Sequence, residues 1–253
     1  TRMPIIVTRP GAKAKRLDRE AVTAEKDLQN YIAHNPECLP IDQIQEDLRL
    51  LVLAREFPSA SGSIDALGID QEGNVYVIET KLYKNADKRR VLAQVLDYGA
   101  SIWRSYPNPG EFLAELEPRA DAMFEKSVRI QIREFFGVDV EEADDLLGVM
   151  GQNVEAGQLR FVVLMDQIDD RLKDLIAFVN ANSRFALFGV ELEFYRDGDS
   201  VIVIPRLHGA ESKGASVAAA GRRSWAAAKF LEDAESRLSL NEIGAVRSLY
   251  EFS

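Results

Sequence analysis

The sequence predicts an α/β chain of mixed α+β character. Three observations carry that expectation. Two pairs of strand-like runs, at 64–70 with 75–81 and at 190–196 with 200–205, each flank a short cluster of turn formers. A further apolar run at 157–165 is rich in β-branched and aromatic residues and reads as a buried strand. Before and between these runs lie segments whose apolar residues recur at helical spacing, at 20–34, 85–103, 111–150 and 170–182.

The elements follow in order. Residues 1–19 are basic and broken by Pro4, Pro10 and Gly11, so an edge strand over 5–8 and a loose lead-in are expected. The helix over 20–34 is ended by Asn35-Pro36, because the residue before a proline is pushed out of the helical region. Leu28, Tyr31 and Ile32 form its apolar stripe, and Glu25 falls on the same face. An inward carboxylate needs a partner, unless it stands at the stripe's edge with its head in water.

A short helix or turn and then a strand are expected over 37–57, with 58–62 as a loop. After Lys81, Asn85 or Asp87 can cap a helix running to about Trp103, with Val91, Val95, Tyr98 and Ile102 on its core face. Gln94 and Tyr98, four apart, share one side of it. An acidic helical insert follows at 111–150, expected to break into helices over 111–116, 118–136 and 140–150. Residues 1–205 form the expected main domain. Residues 206–221 are small and flexible enough for a linker, and 222–253 suggest two amphipathic helices of a segment that ends abruptly.

Composition narrows the chemistry. The net charge of −10 argues against broad attraction to nucleic acid, yet Lys81, Lys84, Lys88, Arg89 and Arg90 stand within ten residues with Asp87 the only acid among them. That basic stretch is compatible with a nucleic-acid substrate, and equally with an ordinary solvated face. No run reaches the roughly 18 apolar residues of a membrane span. The first residues are too short an apolar run for a signal peptide. Cys38 is the only cysteine, which excludes an internal disulfide and suggests a reducing, cytoplasmic setting. His34 and His208 are the only histidines, which disfavours zinc and histidine-based nucleophilic catalysis. A metal here would be a hard cation held by oxygen.

The most unusual stretch runs from Ser63 to Lys81. If Ile69 pairs with Val75 across the five-residue loop 70–74, the same register sets Asp65 opposite Glu79. Directly opposed residues of a hairpin bring their Cβ atoms within roughly 4.5–5.5 Å, where like charges repel. A cation between them would turn that conflict into a binding site. A four-residue loop would shift the register by one and remove the argument. Strand alternation puts Lys81 on the face of Glu79. The Thr80 carbonyl is a further oxygen ligand. Alternatively, Asp65 and Glu79 are strand-edge charges bridged by Lys81, and Gln94 with Tyr98 is an ordinary surface and core pair.

Ile64-Asp65 followed by Val77-Ile78-Glu79-Thr80-Lys81 resembles the D…ExK core of the PD-(D/E)xK nuclease superfamily. Gln94-Val95-Leu96-Asp97-Tyr98 is similar to the QxxxY motif of RecB-like members. The order of helix Glu25, Asp65, Glu79-x-Lys81 resembles NucS-type mismatch endonucleases, from about 25 to 98 and more weakly over 157–205. Ser63 departs from the arginine common before Ile-Asp in that type, and the insert and the tail have no counterpart, so mismatch specificity is not carried over.

The resemblance implies a restriction-endonuclease-like core, with a central mixed sheet flanked by helices. It also implies Mg²⁺- or Mn²⁺-dependent hydrolysis of DNA phosphodiesters in repair, restriction or defence. Asp65, Glu79 and the Thr80 carbonyl would hold the metal, and Lys81 would activate water. Glu25 would be the helix carboxylate near the metal. Gln94 and Tyr98 would place the substrate, with Lys84 and Arg89 binding it. A homodimer would suit a double-strand cutter. The competing expectation is a nucleic-acid-binding or adaptor protein that uses the same fold without catalysis.

Overall fold

A computed structural model describes residues 4–8, 10–11, 13–85 and 87–211. The helices expected over 222–253, and the linker from residue 212, lie outside the described residues.

A mixed sheet forms the centre. Strands β4 (Leu50–Ser59), β5 (Gly62–Asp70) and β6 (Val75–Lys81) make an antiparallel meander. Strands β7 (Leu159–Met165) and β8 (Ala186–Asp197) continue it in parallel, and β9 (Ser200–His208) closes it in antiparallel pairing with β8. The two parallel steps require long crossovers. One runs through α2 (Lys88–Ser105), α3 (Pro109–Phe124), α4 (Val128–Phe136) and α5 (Val140–Glu155); the other uses α6 (Asp170–Asn182).

The middle strands are buried on both faces, which explains their near-continuous apolar sequences. On β6, Val75 and Val77 enter one core with Val91, Val95 and Tyr98 of α2. Tyr76 and Ile78 enter the other, with Leu28 and Ile32 of α1 (Glu25–His34). Both cores meet at β6, and its last residues emerge at the sheet's end between α1 and α2.

Several boundaries differ from the sequence expectation. Helix α1 starts at Glu25 rather than near 20, because Arg19–Glu20 is a short strand, β3, paired with Tyr195 and Phe194 of β8. Asp27 then accepts the Ala24 N–H at 3.2 Å, which caps the helix start and leaves Glu25 in its first turn. The lead-in is not loose: β1 (Ile5–Val7) pairs with β2 (Lys15–Leu17). The loop expected over 58–62 is a tight hairpin with Ser59 opposite Gly62. Gly62 sits at φ +125°, a conformation open to glycine and strained for other residues.

Helix α3 runs through Pro118, and the break falls instead at Glu125, whose φ of 56° ends the helix before Ser127 caps α4. The expected linker begins as strand, since Arg206 and His208 still pair with Glu191 and Gly189. Among the described residues no helix is long and apolar enough to cross a membrane.

Candidate active site

The five-residue loop 70–74 sets the hairpin register. Ile69 pairs with Val75, Leu67 with Val77 and Ala66 with Ile78, as expected. The ladder then stops. Asp65 does not pair with Glu79; its Oδ2 instead accepts the Thr80 N–H and the Thr80 hydroxyl, both at 2.6 Å. The β4 side opens at the same level. Arg55 pairs with Ala66 and Phe57 with Ile64, but Glu56, between them, adopts a left-handed φ of 49°. A non-glycine residue in that region carries strain, which accumulates at functional sites. Asp65 therefore sits where the sheet parts from both neighbours.

Glu79 is the decisive residue. Its side chain is 1% exposed, and Lys81 Nζ stands 2.8 Å from Oε1. That ammonium satisfies Oε1 as an ion pair, while Oε2 is buried with no donor among the described residues. Asp70, at the other end of the hairpin and equally buried, shows the contrast. It accepts from Glu72 N, Asn74 N, Asn74 Nδ2, Tyr76 Oη and Arg160. Buried polar groups are normally satisfied in this way. Burial, and then the Asp65 charge, push the Glu79 pKa up to about 7, while Lys81 pulls it down.

Lys81 lies between two carboxylates, 2.8 Å from Glu79 and 3.6 Å from Glu25. Burial works to lower its pKa, but Glu79, Glu25 and Asp65 outweigh it and hold it above the ordinary lysine value. The side chain is therefore an ammonium at neutral pH. In this state it is a donor and a positive charge.

Glu25 does more than approach the site. Its Oε1 accepts from Leu82 N at 3.3 Å and lies 3.5 Å from Asn85 Nδ2, so α1 is tied to the turn that follows Lys81. Asp166, directly after β7, accepts from Tyr83 N at 2.7 Å and ties the same turn to the next strand. Sequence reasoning missed Asp166, Asn85 and Glu56. The available signal for Asp166 was its position at the carboxyl end of a parallel strand, where α/β proteins place their sites.

On α2, Gln94 Nε2 donates to Tyr98 Oη at 2.7 Å. Tyr98 is buried; its pKa is raised by burial, opposed by the Gln94 hydrogen bond, then raised further by Glu79 and Asp65. Its hydroxyl thus lies within the field of the two carboxylates. Gly99 allows this approach, since a Cβ there would meet the Phe161 ring at 2.4 Å. Lys84 Nζ donates to Thr23 O at 3.3 Å, bracing the turn against the lead-in to α1. Arg89 is exposed in the first turn of α2, behind the Asp87 cap, and has no ion-pair partner among the described residues.

The donor set fits a hard divalent cation. The unpartnered Glu79 Oε2 and the Asp65 Oδ1, which accepts no hydrogen bond among the described residues, are anionic oxygen ligands. Thr80 is fully buried beside them. Among the described residues no three His, Cys, Asp or Glu side chains form a ready-made cage. A cation here would keep several waters, the habit of Mg²⁺ rather than of a cation in an all-protein cage.

No family model matches the chain, and neither a curated protein nor a solved structure matches it significantly.

Proposed function

We propose that the chain is a metal-dependent phosphodiesterase of DNA built on a restriction-endonuclease-like core. One observation carries the reading: a fully buried carboxylate, Glu79, whose Oε2 has no donor among the described residues, beside Asp65 and an ammonium where strands separate. A purely structural carboxylate at that burial would be satisfied, as Asp70 is.

Glu79, Asp65 Oδ1 and the Thr80 carbonyl would hold Mg²⁺ or Mn²⁺. The bound cation would supply Lewis acidity and lower the pKa of a coordinated water. The remaining work belongs to the chain. Thr80 holds Asp65 by two short hydrogen bonds, so its free oxygen keeps one orientation. Lys81, fixed between Glu79 and Glu25, offers N–H donors and positive charge to the phosphate as negative charge builds on its oxygens. Gln94 occupies one lone pair of Tyr98 and leaves the hydroxyl proton free to donate. Arg89 supplies an exposed charge for a backbone phosphate.

The test is cleavage of single-stranded, duplex, flap and mismatched DNA, with RNA alongside, in Mg²⁺, in Mn²⁺ and in chelator. Metal-dependent cleavage lost in Asp65→Ala, Glu79→Ala and Lys81→Ala is the expected result. Cleavage that survives all three substitutions would overturn the assignment.

A further inference from the structure

A second feature shares α1 and β4 with the surroundings of this centre. A cleft of about 830 Å³ opens between α1, β4 and α3. Three cations line it, Lys26, Arg55 and Arg119, against one acid, Glu56. The Glu56 carboxylate is already engaged, accepting from Ser63 Oγ at 2.9 Å. The cleft is therefore locally positive on a chain whose net charge is −10.

The way the arginines are held points to an anion. Arg55 is half-buried and donates to Asn30 Oδ1 at 2.6 Å and Gln29 Oε1 at 3.2 Å. Both partners are neutral, no carboxylate reaches Arg55 among the described residues, and its Nε is buried without a partner. Removing a guanidinium from water without a counter-charge is costly, and an external anion offsets that cost. Arg119 lies over the Phe57 ring at 5.7 Å, with its Nε also buried and unpartnered. The ring contact restrains the guanidinium, a group whose fork of donors suits phosphate. Among the described residues its ion pair is to Glu115.

Position gives the cleft its meaning. Lys26 directly follows Glu25. Glu56 continues the β4–β5 register at the level of Asp65. The volume lies in the range of ligand pockets and exceeds what a lone phosphate needs. We infer that this cleft takes the nucleotide next to the bond at the Asp65–Glu79 centre, its phosphate held by Lys26, Arg55 and Arg119. The direction of the strand rests on the phosphodiesterase reading; the binding itself does not.

The experiment separates the two. Binding of a fluorescent single-stranded oligonucleotide is measured in chelator, without cleavage, over a range of salt concentrations. Lys26→Glu reverses an exposed charge. Ala122→Glu adds a negative charge to the exposed cleft wall without deleting any contact. Each is expected to weaken binding about tenfold and to reduce the salt slope by about one. Arg104→Glu, an exposed reversal at the end of α2, is the control and should change binding less than twofold. Thermal unfolding of all three verifies folding.

Unchanged binding in both cleft variants, an equal loss in the control, or no oligonucleotide binding by the parent chain would each overturn the inference. Cleft-dependent binding without metal-dependent cleavage would sustain it and sink the phosphodiesterase reading instead.

Discussion

Asp65 and Thr80 are joined twice: the Thr80 N–H and its hydroxyl both donate to Asp65 Oδ2 at 2.6 Å. This bond replaces the Asp65–Glu79 pairing that the hairpin register would otherwise continue. It lets β5 and β6 part while holding one carboxylate in a fixed orientation. Thr80→Val keeps the shape and deletes one charge-assisted donor, so it should cost about 1.5–3 kcal/mol in chemical denaturation. It should also weaken divalent-cation binding measured by calorimetry. An unchanged midpoint together with unchanged cation affinity would deny the bond its role.

Glu79 makes the stability of the metal-free chain depend on pH. Its folded pKa, about 7, lies above its ordinary 4.5, so the folded state binds more protons between those values. The stabilising protonation is complete below about pH 4.5 and is lost as pH rises through about 7. Denaturant titrations from pH 5 to pH 8 should show a decline of about 3 kcal/mol at most from this group. Glu79→Gln should flatten that decline and leave the variant more stable than the parent at pH 8. A parent whose stability is level over this interval would contradict the burial argument.

Divalent cation and proton compete for the same carboxylate. Mn²⁺ or Mg²⁺ should therefore raise the midpoint of thermal unfolding more at pH 8 than at pH 6. The increment should vanish in Glu79→Gln. A cation effect of equal size at both pH values, or one that persists in the variant, would place the binding elsewhere.

Lys81 and Glu25 should separate in their effects. Lys81→Met removes the charge facing the phosphate and should reduce single-turnover cleavage at least a hundredfold. It also removes the cation that pulls the Glu79 pKa down, so the stability decline should move to higher pH. Glu25→Gln leaves that ammonium in place and should cost about tenfold, the scale for an outer partner. Equal losses in the two variants would argue that Glu25 contacts the reacting groups directly.

Gly99 sets how closely α2 approaches the sheet. Gly99→Ala forces a Cβ to within 2.4 Å of the Phe161 ring, and overpacking of this kind costs about 1–3 kcal/mol. Phe161→Leu in the same chain should restore part of the loss, because the obstruction is that ring. Additive losses in the double variant would rule out the contact as the cause.

Much of this fold was legible because its signals are local. The strand at 159–165, the helix over 170–182 and the hairpin over 197–200 stand where apolar spacing and turn formers put them. What escaped depended on distant partners. Glu20 falls at the start of the expected helix, but Arg19–Glu20 is drawn into a strand by β8. Asp166 belongs to no motif; its place after β7 is a weak signal, and its reach to Tyr83 gives it a role. The cleft was illegible because Lys26, Arg55 and Arg119 meet there from three elements.

Within the hairpin the division is plain. A side-chain period of two by itself determined the shared face of Glu79 and Lys81, while the register stood open between a five- and a four-residue loop until the Ile69–Val75 pair selected the former. Tertiary structure decided the charge states. Burial under α2 and the arrival of Glu25 from α1 set whether Glu79 holds a proton and whether Lys81 can lose one. Strand alternation is a property of local backbone geometry, whereas a pKa sums desolvation and Coulomb energies over groups that only the folded chain brings together.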